Sequence, residues 1–154
     1  MGDRPRILVS ACLLGVACRY DGKGQAIPRL NELLAACEVI PVCPEQLGGL
    51  PTPRTPSERV GEKVLARDGT DVTCAFARGA AEALRLARLT GARLALLKAR
   101  SPSCGSGEIY DGSFTGRTVP GDGVAAQALV DAGIEIFNEG HIDLFLSKLK
   151  GNEL

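Results

Sequence analysis

The chain has 154 residues, 45% apolar and 23% charged, with 18 basic and 18 acidic side chains and no formal net charge. That length and composition suit one globular domain over residues 1–154 with a sizeable core, and the charge balance argues against a general nucleic-acid or membrane-surface role. No apolar run approaches the about 18 residues of a transmembrane helix; Met1-Gly2-Asp3-Arg4-Pro5-Arg6 lacks a signal-peptide apolar region and the Ser or Thr of a myristoylation signal, so the expected location is cytoplasmic.

Arg6 to Ala11 reads as a first strand, followed by a polar loop carrying Gly15, Gly22 and Gly24. Pro28 is suited to opening a helix in which Leu30, Leu33, Leu34 and Cys37 share one face. Glu38 to Cys43 is a second strand. Pro44 to Glu58 is rich in proline with Gly48-Gly49 adjacent, and reads as loop. Asp68-Gly69 between short runs in 63–73 signals a β-hairpin.

Thr73 is a plausible N-cap for a helix to about Thr90, with Phe76, Ala80, Ala83, Leu84 and Ala87 as its apolar stripe and Gly91 as its stop. Arg93 to Lys98 is a third strand, and Ala99 to Gly121 a long glycine-bearing loop. Asp122 is placed to cap a helix to Ala132. Ile134 to Phe137 is a fourth strand, and Asn138 is placed to cap a last helix with Ile142, Phe145, Leu146 and Leu149 facing inward.

Strands alternating with helices predict an α/β, Rossmann-like or flavodoxin-like layer structure with a small, mostly parallel four-stranded sheet. In such a sheet the carboxyl ends of neighbouring strands open on one crevice. Cys12, Cys43 and Cys104 each follow an apolar run where it yields to a Pro- or Gly-bearing loop. Three thiolates brought together there suit a metal ion or an iron–sulfur cluster, because thiolates favour soft centres. Three ligands also leave one coordination position open for chemistry. Their sequence separations match neither zinc-finger nor ferredoxin runs. Cys37 and Cys74 fall in helical patterns and read as buried structural thiols.

The loops read Ser10-Ala11-Cys12-Leu13-Leu14-Gly15 with Arg19-Tyr20-Asp21-Gly22, then Pro41-Val42-Cys43-Pro44-Glu45, then Ser101-Pro102-Ser103-Cys104-Gly105 with Tyr110-Asp111-Gly112. In this combination and order they resemble the family formerly known as DUF523, which includes the thiouracil desulfurases, over nearly the whole chain. The resemblance implies a [4Fe–4S] cluster held by Cys12, Cys43 and Cys104, with the fourth iron free to bind the sulfur of a thiolated base. It implies redox-neutral conversion of a thiolated pyrimidine such as 2-thiouracil to its oxo form, with release of sulfide. Glu45 and Ser101 match the family's active-site positions; Cys18 falls at a position its motif leaves open.

A carboxylate such as Glu45, beside a partly desolvated cluster, suits general acid–base work. Ser101 is placed to hydrogen-bond a substrate, or simply to form the turn before Pro102. Ser10 and Ser103 are candidates for donating to cluster sulfurs. Arg19, Arg54 and Arg100 are candidates for offsetting cluster charge or contacting substrate, whereas Lys98 reads as solvated charge. Both Tyr-Asp-Gly triplets read as turns. His141, remote from every cysteine loop, reads as structural or surface.

The expected partner is a small thiolated base or nucleoside; neutrality disfavours intact tRNA. A competing reading is a non-catalytic iron–sulfur or thiol sensor, or a zinc-stabilised module closed by Cys12, Cys18, Cys43 and Cys104. Nucleotide binding without a cluster is weaker, because Gly-Gly-Leu-Pro-Thr-Pro is too proline-rich for a phosphate-cradling turn.

Overall fold

The computed structural model describes residues 4–151; Met1-Gly2-Asp3, on which part of the amino-terminal reading rests, lies outside the described residues. Strands β1 (Arg6–Ser10), β2 (Glu38–Val42), β5 (Leu94–Leu97) and β8 (Glu135–Asn138) form a parallel sheet in the order β2-β1-β5-β8. Two antiparallel hairpins lie outside it. One pairs β3 (Ser57–Val60) with β4 (Lys63–Ala66), and the other β6 (Glu108–Tyr110) with β7 (Thr118–Pro120).

The helices are α1 (Leu30–Ala36), α2 (Pro44–Leu47), α3 (Thr73–Thr90), α4 (Val124–Asp131) and α5 (Ile142–Lys150). The two central strands carry unbroken apolar runs, Ile7-Leu8-Val9 and Leu94-Ala95-Leu96-Leu97, because both faces are covered, as parallel sheets require. Ile7, Val9, Leu94 and Leu96 pack with Leu33 of α1 and Phe145 and Leu146 of α5. Leu8, Ala95 and Leu97, one residue out of phase, pack with Ala87 of α3 and Ala126 and Leu129 of α4.

Chain direction across the sheet reverses between β1 and β5, since β2 lies on one side of β1 and β5 on the other. A ligand crevice forms outside the carboxyl ends at such a switch point. The four expected sheet strands and the three longest helices stand where the sequence puts them, within about three residues at each end.

The loops hold more structure than their composition suggests. After β1 the chain turns at once into a 3-10 helix, Ala11–Leu14, that carries Cys12 and ends at Gly15 in the left-handed region, φ 96°. The stretch 44–58 contains α2 and the start of β3, and 99–121 contains the β6–β7 hairpin. The β3–β4 hairpin turns at Gly61-Glu62, where Val60 pairs with Lys63; at Asp68-Gly69 the chain reverses again as expected, with an antiparallel bridge between Leu65 and Asp71 and the Val72 N–H donating to the Val64 carbonyl.

Thr73 does not cap α3. Its Oγ1 accepts from the Val64 N–H at 2.9 Å, and its own N–H donates to Asp71 Oδ1. Asp122 likewise gives its carboxylate to the Gly107 N–H, and Gly123 takes the position before α4. Asn138 does cap, accepting from Gly140 N–H, but opens a 3-10 turn, Glu139–His141, that feeds α5.

Two expectations of burial are corrected. Leu34 is exposed, whereas Leu30, Leu33 and Cys37 pack toward α5 and the sheet. Cys74 is exposed: two residues before Phe76, it lies on the far side of α3 from the stripe of Phe76, Ala80, Ala83 and Ala87. Cys37 is buried as expected, and burial pushes its thiol up to about 11.

Candidate active site

The carboxyl edge of the sheet opens on a cavity of about 320 Å³. Cys12 reaches it from the 3-10 turn after β1, Cys43 from the residue after β2, and Cys104 from the loop after β5. Cys18 lines it as well. Cys12, Cys18 and Cys104 are buried, and Cys43 is half-buried.

As free thiols, Cys12, Cys18 and Cys104 resist ionisation. Burial and the neighbouring Cys104 and Cys18 push Cys12 up to about 12. Burial also pushes Cys104 up to about 12, against hydrogen bonds from Ser10 and Ser103 that favour its thiolate. Burial and adjacent Cys43 raise Cys18 to about 11. These are soft ligands held in a desolvated space that favours a compensating cationic centre. Among the described residues no three His, Cys, Asp or Glu side chains converge closely enough to hold a single metal ion. Cys12, Cys18, Cys43 and Cys104 all line the one cavity, and a soft thiol donor set of this kind fits an iron–sulfur cluster.

Glu45 follows in the first turn of α2, with both carboxylate oxygens engaged. Oε1 accepts from Arg54 Nε at 2.9 Å and Oε2 from Ser103 Oγ at 3.2 Å. The Arg54 side chain is only 7% exposed and donates also to Thr52 Oγ1 and to the Pro51 and Cys18 carbonyls. It thus ties the loop after β2 to the Cys18 segment. Ser101 Oγ accepts from the Ser103 and Cys104 N–H groups, each at 3.1 Å, and lies 3.1 Å from Ser103 Oγ. Its turn role and its place in the cavity are compatible. Ser103 Oγ lies 3.7 Å from Cys104 Sγ. One hydroxyl, Ser103, thereby links Ser101, Glu45 and a cluster-ligand candidate, a junction invisible in a sequence where Ser103 and Glu45 are far apart.

Two close backbone approaches fix this arrangement. A Cβ on Gly79 of α3 would meet the Pro44 carbonyl oxygen at 1.8 Å, so only glycine lets α2 lie against α3. A Cβ on Gly123 would meet the Ser103 carbonyl at 2.5 Å, where the start of α4 abuts the third cysteine loop.

Of the other candidates, Ser10 lines the cavity and accepts from the Lys98 N–H. Arg19 lines it too, donating to Gln25 Oε1 and pairing with Asp21. Lys98 is not a freely solvated charge: it lines the cavity and its Nζ pairs with Glu139 at 2.7 Å. Arg100 is exposed, with φ 64°, and is not in the lining. Both Tyr-Asp-Gly triplets are turns in which the aspartate accepts an N–H two residues on, and Tyr20 and Tyr110 line the cavity. His141 is exposed.

Cysteines converging from three strand ends of an open α/β sheet, beside a carboxylate and a serine hydroxyl, make a site of the kind that holds a thiolate-ligated cluster next to reactive polar groups. The 2-thiouracil desulfurase family model matches residues 7–141, and the chain belongs to that family. It is 40% identical to the uncharacterized protein YbbK of Bacillus subtilis (strain 168), over 89% of this chain and 97% of that protein. It also resembles the solved [4Fe-4S]-dependent thiouracil desulfidase TudS, with 46% identity, a TM-score of 0.90, and coverage of 96% of this chain and 99% of that one. Among the described residues no helix is long and apolar enough to cross a membrane.

Proposed function

We propose that residues 1–154 act as one cytoplasmic, cluster-binding domain that hydrolyses the C=S bond of a thiolated pyrimidine, such as 2-thiouracil, to C=O and sulfide. The observation that carries this reading is the meeting of Cys12, Cys43 and Cys104 with Glu45 and Ser101 in one cavity, in a chain so similar to a [4Fe-4S]-dependent thiouracil desulfidase. Cys12, Cys43 and Cys104 are the ligands of a [4Fe–4S] cluster, which when bound supplies an iron without a protein ligand as Lewis acid for the substrate's sulfur.

The chain's own groups do the rest. Glu45 takes a proton from water as the water oxygen attacks the carbon bearing sulfur; the bond to Arg54 keeps the carboxylate aimed into the cavity. Ser101 holds the substrate's polar edge. Its 3.1 Å contact to Ser103, itself bonded to Glu45, gives the proton a path to the leaving group. The substrate is a small base or nucleoside, which the cavity volume suits better than a polynucleotide.

The test is anaerobic reconstitution with iron and sulfide, followed by sulfide-release assays on 2-thiouracil and a panel of thionucleosides. The expected result is uracil and sulfide from iron-loaded protein. One zinc per chain and no sulfide release would replace this reading by the closed Cys12, Cys18, Cys43, Cys104 module.

A further inference from the structure

The segment Tyr110–Gly116 contains a feature that cluster ligation and proton transfer leave unused. Phe114 has φ 58°, a left-handed conformation that bulky side chains rarely adopt. Strain of this kind persists where the surroundings over-determine it, and it gathers at ligand clamps. Here the determinant is Glu58 of β3, only 8% exposed. Its Oε1 accepts from the Gly112 N–H at 2.9 Å and the Phe114 N–H at 3.1 Å. A buried carboxylate thus fastens an otherwise surface loop to the β3–β4 hairpin.

The same hairpin leads into Arg67, whose guanidinium stands 5.5 Å from the Phe114 ring centroid. Phe114 is half-buried, Arg67 is exposed, and both line the cavity that holds the cysteines and Glu45. A residue whose left-handed backbone is fixed by a buried carboxylate thus places its aromatic ring in the lining of the site. It offers a flat apolar face without hydrogen-bonding demands, while Glu45, Ser101 and Ser103 supply polar groups deeper in the same cavity.

We propose that Phe114 is the stacking wall for the heterocycle of the substrate, with the Arg67 guanidinium completing the stack on the solvent side. The proposal rests on the reading of the chain as acting on a thiolated pyrimidine, and adds the residue that selects a planar ring over a non-planar C=S compound. Base–aromatic stacking is a binding term, shared by ground and transition states, so its loss falls on KM rather than kcat.

The test uses cluster-loaded enzyme. It reads kcat and KM for sulfide release from 2-thiouracil, together with equilibrium-dialysis binding of uracil, which is not consumed. Phe114→Ala is expected to raise KM and weaken uracil binding by about 5- to 150-fold. Its kcat and iron content stay within about threefold of wild type. Phe114→Tyr, which keeps the ring, is expected to stay near wild type, whereas Phe114→Leu, which keeps bulk without the π face, follows the alanine variant.

Unchanged KM and uracil binding in Phe114→Ala overturns the proposal, as does a Tyr variant as impaired as the Ala variant. A wild-type enzyme that binds no uracil overturns it too. Failure of the wild type to release sulfide sinks the desulfurase reading instead, and the uracil affinities of wild type and Phe114→Ala then decide the stacking wall alone.

Discussion

Gly79→Ala tests whether the acid–base group is positioned by backbone contact between two helices. At an ordinary site within α3 this change would stabilise the protein by about 1 kcal/mol, since alanine is the better helix former. Here the new Cβ would stand 1.8 Å from the Pro44 oxygen and 2.7 Å from its carbonyl carbon. Carbon–oxygen contacts ordinarily close to about 3.3 Å, so α2 must retreat by about 1.5 Å, the gap between that limit and the clash. No flexible side chain absorbs the difference, because the obstacle is backbone.

Overpacking of this kind costs about 1–3 kcal/mol. Less the propensity gain, the net loss is about 0–2 kcal/mol, a fall in Tm of up to about 8 °C for a chain this long. The functional effect is larger. Cys43 precedes Pro44 and Glu45 follows it, so a displacement of this size moves the proposed ligand and the proposed base together, and a 1 Å misplacement costs on the order of 100-fold in rate. Sulfide release by the reconstituted variant should fall by about that factor, with lower iron content, while circular dichroism stays native. A variant with raised Tm and full activity would show that α2 accommodates the methyl group, and would refute positioning through this contact.

Serine substitutions at Cys12, Cys43 and Cys104 should each abolish a stable cluster, read as iron and acid-labile sulfide per chain, whereas those at Cys37 and Cys74 should retain it; loss of iron in Cys18→Ser would argue for a four-cysteine site. Glu45→Gln should keep its iron yet lose about 100-fold or more of sulfide release, with Ser101→Ala less impaired, and full activity in Glu45→Gln would remove that residue from the mechanism. Because water converts C=S to C=O and hydrogen sulfide with carbon keeping its oxidation state, purified enzyme should turn over repeatedly in anaerobic buffer without reductant, nicotinamide, flavin or ATP; strict dependence on an electron donor would sink the hydrolytic scheme.

The sheet was legible because its central strands are buried on both faces. Ile7-Leu8-Val9 and Leu94-Ala95-Leu96-Leu97 have no polar residue to blur the run, and a cysteine shortly beyond a strand end is placed by topology alone. The reversal at Asp68-Gly69 showed in its turn dipeptide, but β3 and the β6–β7 hairpin were hidden for the opposite reason. β3 reads Ser-Glu-Arg-Val, and its one buried side chain is Glu58, kept inside by N–H donors from a loop more than fifty residues away rather than by apolarity. β6 and β7 have three residues each, too few for a period to show. Cys74 illustrates the limit of residue type as a guide. Cysteine is commonly buried, but helical phase decides, and Cys74 is out of phase with the stripe four other residues of α3 define.

The candidate site divides along the same line. Its soft-ligand half belongs to the parallel sheet: wherever β1, β2 and β5 end side by side, residues just beyond them share a crevice. Its polar half is assembled from insertions after β2 and β5, through contacts no local pattern encodes. Arg54 meets Glu45 across a proline-rich turn, Ser103 meets Glu45 between two different crossovers, and Glu58 ties down the loop bearing Phe114. The glycine at 79 carries the signal that was available, since a glycine inside a long apolar-striped helix costs stability that only a close approach repays. Relatives that keep the sheet and its cysteines but differ in these two insertions should therefore share the cluster chemistry and differ in which thiolated ring they accept. The proposed ligands are set by strand ends that the core holds rigid, and the proposed substrate-facing walls by loops that rest on that core without forming it.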